Sequence, residues 1–76
     1  MLETFKLLDG PVEIGLCEGI RSSDKYGDFV VFSPDYYQSI QPGNTLIDDS
    51  GHYLQLQSEF PIVEESDLKA FKMYYH

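Results

Sequence analysis

The sequence predicts a mainly β protein, a small antiparallel sheet or partly open barrel of five to six strands with one short helix after Ser33. Three observations carry this. Short runs alternate apolar and polar residues at the two-residue period of a half-buried strand, turn-forming residues separate the runs, and glycines interrupt the longest run where a flat strand would not accept them. With 76 residues the chain makes one domain, 1–76. A domain of that size buries only roughly 60% of the surface its unfolded chain exposes, so its core must be efficient. Phe5, Phe29, Phe32, Phe60 and Phe71 are suited to that, because an aromatic ring removes much apolar area from water at little rotamer cost.

Thr4 to Leu8 sets Phe5 and Leu7 on one face and Thr4 and Lys6 on the other, before Asp9-Gly10-Pro11 turns the chain. Val12 to Ile20 alternates as well. Val12, Ile14, Leu16 and Ile20 form the expected inward face, with Glu13, Gly15, Cys17 and Gly19 opposite. Gly15 and Gly19 mark a bulge or a sharp bend in a coiled sheet. Ser22 to Gly27 is polar and turn-rich, and Asp28 to Phe32 is apolar on both faces, as a central strand is.

Ser33-Pro34-Asp35 combines a capping hydroxyl, a proline suited to the first helical position and an early acid, which predicts a helix from Pro34 to Ile40 stopped by Pro42-Gly43. Thr45 to Ile47 and Tyr53 to Phe60 flank Asp48-Asp49-Ser50-Gly51 as a hairpin, with Leu54, Leu56 and Phe60 inward and Tyr53, Gln55, Gln57 and Glu59 outward. The last segment fits a helix from Ser66 or a strand. The doubled aromatic Tyr74-Tyr75 favours a helical turn at Glu65 to Leu68 followed by a strand that shows Phe71, Met73 and Tyr75 on one face.

Composition excludes several functions. Thirteen acids against five Lys and Arg give a formal net charge of -8 at pH 7, which leaves no basic stripe to release phosphate counterions, so direct nucleic-acid binding is not expected. Anionic lipid is repelled in the same way, and no apolar run nears the ~20 residues that span a bilayer. Cys17 has no second cysteine to pair with, and no segment reads as a secretory signal, so the expected compartment is the cytoplasm.

Catalytic and metal signatures are weak. A reactive thiol at Cys17 would need a base, and His52 and His76 sit in a loop and at the last residue, so Cys17 reads as a packed strand residue. Asp48, Asp49 and His52 match no closed zinc set, and Asp24 to Asp28 lacks the ligand series of a calcium loop; both read as turns. Phosphate-cradling and nucleophile-elbow motifs are absent, and adjacent acids such as Glu64-Glu65 do not span a cleft. The expectation is no enzyme, no cofactor and no metal.

Acids in every predicted loop and tyrosine doublets remain. They predict a non-enzymatic acidic protein-binding module whose partner is a basic protein surface, contacted by Tyr36, Tyr37, Asp48, Asp49, Glu64 and Glu65. One concrete form is a phage or mobile-element inhibitor that occupies the cationic nucleic-acid-binding site of an enzyme stoichiometrically, its carboxylates standing where phosphates sit. The alternative is a homo-oligomeric structural or virion accessory protein, with a small-ligand-binding barrel as a third class.

Overall fold

The computed structural model describes residues 1–57, 62–63 and 70–76, with the backbone alone at 62 and 63. Its segments are β1 (Leu2–Asp9), β2 (Val12–Asp24), β3 (Gly27–Phe32), a 3-10 turn (Pro34–Tyr36), β4 (Thr45–Ile47), β5 (Tyr53–Gln55), β6 (Ile62–Val63) and β7 (Phe71–Tyr74). All pairings are antiparallel, in the spatial order β5-β4-β1-β2-β3-β7-β6. Six of the strands have three residues or more, and β6 has two, so the mainly β prediction of five to six strands holds.

The sheet is a curled half-barrel, and backbone bonds narrow its open side. Leu56 and Tyr75 form an isolated bridge, the Gln57 amide donates to the Tyr74 carbonyl at 3.0 Å, and the His76 amide donates to Gln55 at 2.9 Å. These bonds bring the β5 end of the sheet to β7. The concave side holds the core: Phe5, Leu7, Cys17, Val30, Phe32, Ile40, Leu46, Leu54, Leu56, Phe71 and Met73. Phe5, Phe29, Phe32 and Phe71 are buried as the ring argument requires, while Phe60 lies outside the described residues.

β2 is the strand on which the curl turns. At 13 residues it is more than twice the usual strand length, and it pairs with β1 over its first part and with β3 over Gly19 to Asp24. Register shifts between Leu7 and Leu8, so that Ile14 is the extra residue of a bulge between Glu13 and Gly15. At Gly19 a Cβ would stand 2.5 Å from Val30 Cγ1 and 2.9 Å from the Val31 carbonyl oxygen, closer than any side chain tolerates. The glycines thus mark a bulge and a bend, as read.

The inward face of β2 is the opposite of the predicted one. Val12, Ile14, Leu16 and Ile20 are exposed, and Cys17 and Gly19 are buried. The reason is curvature. Where the strand bends, its concave side has room only for small residues, because Phe5, Val30 and Phe32 from neighbouring strands fill the space. Alternation placed the larger apolar set inside; the bend leaves it outside.

Three further boundaries differ from expectation. β2 runs through the polar stretch to Asp24, whose carboxylate accepts the Tyr26 amide at 2.8 Å and closes a two-residue turn. The expected helix from Pro34 to Ile40 is a single 3-10 turn, capped by Ser33 through the Asp35 amide at 3.3 Å, after which the chain turns Ile40 into the core. The chain continues past the 3-10 turn in a turn closed by the Ser39 and Ile40 amides, which both donate to the Tyr36 carbonyl at 3.0 Å, and not in a regular helix. β5 ends at Gln55, with Leu54 and Leu56 inward and Tyr53 and Gln55 outward as predicted. The last segment is a strand with Phe71 and Met73 buried and Tyr75 packed on the core; the proposed helical turn at 65–68 lies outside the described residues.

Candidate functional site

The convex face of β1 and β2 carries the molecule's unexpected chemistry. Pairing sets Leu2 opposite Ile20, Thr4 opposite Glu18 and Lys6 opposite Leu16. Leu2, Leu16 and Ile20 are 59%, 66% and 42% exposed, and Ile14, at the bulge, is exposed toward the β1–β2 turn. From Leu16 a lateral row crosses the sheet through Lys6 and Ile47 to the exposed Tyr53. Single exposed aliphatics are ordinary, but several on one face of two neighbouring strands, here in rows either side of Thr4 and Glu18, are what interaction surfaces present.

Beside these aliphatics lies an open groove of about 450 Å³ lined by Thr4, Lys6, Leu16, Ile47, Asp49 and Gly51, among others. Its wall is the β4–β5 loop. Gly51 takes a φ of +85° there, which lets the loop turn back, and its amide donates to the Asp48 carbonyl at 3.0 Å. Asp49 is exposed at this wall, while Glu13 and Glu18 are exposed along β2. The surface therefore combines exposed aliphatics with Glu13, Glu18 and Asp49, and carries Lys6 in the row between Leu16 and Ile47.

The predicted contact residues fall in different places. Asp48 is turned inward, its side chain only 4% exposed. It accepts the amides of Ser50 and His52 at 2.9 Å each and meets the Arg21 guanidinium at 3.3 Å. The His52 amide bond first, then that of Ser50 and the nearby charges, hold its carboxyl below the usual carboxylate range. Asp48 thus stabilises the hairpin loop and does not present its charge to a partner. Tyr36 is half-buried, edge-on to Phe32 at 6.4 Å, whereas Tyr37 stays 38% exposed with its ring 5.3 Å from that of Phe71. Tyr36 and Tyr37 belong to the segment after β3, and Asp49 to the groove wall. Glu64 and Glu65 lie outside the described residues.

Two cations are engaged within the fold. Arg21 Nε donates to Glu3 Oε2 at 2.7 Å, and its guanidinium lies 5.8 Å over the Phe5 ring, covering one end of the core. The hydrogen bond to Glu3 raises its already high pKa. Lys72 lies 3.5 Å from Asp24, which also accepts the Tyr74 hydroxyl at 2.7 Å. That hydroxyl is the main reason the Asp24 carboxyl is held down and the Tyr74 phenol up. With Arg21 and Lys72 so placed, the exposed charges of the convex face are Glu13, Glu18 and Asp49 against Lys6.

Burial pushes the Cys17 thiol up to about 11, which suits packing and not nucleophilic attack. Among the described residues no group of three or more His, Cys, Asp or Glu is placed to hold a metal, and no helix is long and apolar enough to cross a membrane. Comparison with known protein families, with curated proteins and with solved structures finds no match to this chain.

Sequence reasoning missed the exposed aliphatics, although their signal was present. Gly15, Cys17 and Gly19 are three small residues on alternate positions, and such a row identifies the concave side of a bent strand.

Proposed function

We propose that this protein is a non-enzymatic acidic binding module that docks on a basic protein surface through the convex face of β1 and β2. In its sharpest form the docked surface is the nucleic-acid-binding site of an enzyme, occupied at one-to-one stoichiometry. The observation that supports this is the exposed set of Leu2, Leu16 and Ile20, with Glu18 and Asp49 on the same surface, on a chain of net charge -8. The aliphatics supply the buried contact that slows dissociation, and the carboxylates steer a basic partner and raise the association rate. Of the expected contact residues Asp49 belongs to this surface, Tyr37 lies away from it in the segment after β3, and Asp48 and Tyr36 are engaged within the fold.

Self-association is the second reading, favoured by the same aliphatics and opposed by the charge each copy carries. Affinity capture at low and high salt, followed by binding kinetics with the captured partner, separates the two. Neutralising Glu18 and Asp49 to their amides is expected to lower the association rate and flatten its salt dependence, and Leu16→Ala to speed release. Partners that are neutral or acidic, with affinity indifferent to salt, would remove the charge-steered reading; a dimer in light scattering that Leu16→Asp dissolves would replace it with self-association.

A further inference from the structure

β2 is covered unequally on its two sides. β1 pairs with it from Val12 to Ile20, but β3 pairs with its other side only from Gly19 to Asp24. Along Val12 to Glu18 no described strand occupies that second side, and no described loop directs a backbone bond to it. The free length is roughly 20 Å at ~3.3 Å per residue. At Gly15 a Cβ would meet no described atom within 4 Å, so the concave face is open there.

An exposed strand edge is a row of unpaired amides and carbonyls that accepts another strand, and proteins block it with charged side chains, lysine above all, with proline or with a bulge, of which this edge has one at Ile14, near its Val12 end. No Lys or Pro lies between Val12 and Glu18; the charges there are Glu13 and Glu18. They select among occupants. A second copy brings its own Glu13 and Glu18, and a net charge of -8, to the same edge, so two copies repel each other there. A basic segment meets the same acids favourably.

We propose that the free edge of β2, Val12–Glu18, receives an extended basic segment of the partner protein as an added strand. This rests on the acidic-module reading and specifies how that module binds. Leu16, Glu18 and Ile20 share the convex face, so the added strand carries an apolar residue beside Leu16 and, two positions along on the same face, a lysine or arginine beside Glu18. Main-chain bonds supply the affinity, and the alternating side chains supply the selection.

The test uses the whole chain with a short alternating lysine–valine peptide and the same peptide N-methylated on alternate amides, read by amide hydrogen exchange and titration. The expected result is protection of amides within Val12–Glu18 on binding, a roughly tenfold or greater loss of affinity on N-methylation, and a several-fold loss with Glu18→Lys. Binding that N-methylation leaves unchanged would overturn the added strand while leaving the basic-partner reading intact. Failure to bind either peptide at low salt would overturn both. Protection of the same amides without peptide, rising with protein concentration, would assign the edge to a second copy instead.

Discussion

The two faces of β2 obey opposite rules. On the concave side Gly15, Cys17 and Gly19 are small, and Cys17 and Gly19 are packed against Phe5, Val30 and Phe32; on the convex side Leu16 and Ile20 are large, apolar and in water. Hydrophobicity alone would reverse the assignment. The difference teaches that where a strand bends residue volume, and not apolarity, decides which face turns inward, because at Cys17 and Gly19 the neighbouring strands have already filled the concave space.

A charge placed on each face breaks the comparison most strongly. Cys17→Asp is expected to unfold the protein, since a carboxylate there cannot be solvated and costs several kcal/mol against the small total stability of such a domain. Circular dichroism and urea denaturation check this, and a folded Cys17→Asp variant would invalidate the concave assignment. Gly19→Ala comes next, with an expected loss of about 1–3 kcal/mol as the new methyl displaces Val30 and crowds the Val31 carbonyl. Leu16→Asp is expected to change stability by only about 0.5 kcal/mol, and its effect is to appear in partner binding.

Two smaller effects sharpen the contrast between interior and rim. Native Cys17 is expected to react with a thiol reagent only as fast as the protein opens, because its raised pKa leaves almost no thiolate at neutral pH. Asp48 and Asp24 have lowered pKa values in the fold, so the unfolded chain takes up protons first as pH drops. Their contribution is present at neutral pH and is lost as pH falls below roughly 4. Asp48→Asn is expected to flatten that acid limb of the stability curve in urea titrations at stepped pH.

Much of the fold was legible from alternation and turn chemistry. Phe5 and Leu7, Leu54 and Leu56, and Phe71 and Met73 lie inward as their spacing demands, and the turns at Asp9-Gly10-Pro11 and Asp48 to Gly51 fall where their residues place them. β2 escaped because its alternation is interrupted by the Ile14 bulge and because a two-residue period states that the faces differ without stating which is concave. The candidate surface was only partly legible. Acid-rich loops pointed to charge, but whether Asp48 or Asp49 shows its carboxylate depends on loop amides and Arg21, which local spacing does not encode.

The clasp between the β5 end and β7 has a kinetic consequence. β1, β2 and β3 form a meander of neighbours in the chain, whereas the Tyr74 hydroxyl reaches Asp24 across 50 residues and Leu56 must find Tyr75. Closing the longer loops costs more chain entropy before any contact rewards it, so the meander is set to form ahead of the clasp. During that interval the exposed aliphatics of β2 are already displayed on an unfinished domain, and a bound partner at that face would act as a template for folding before it acts as a target.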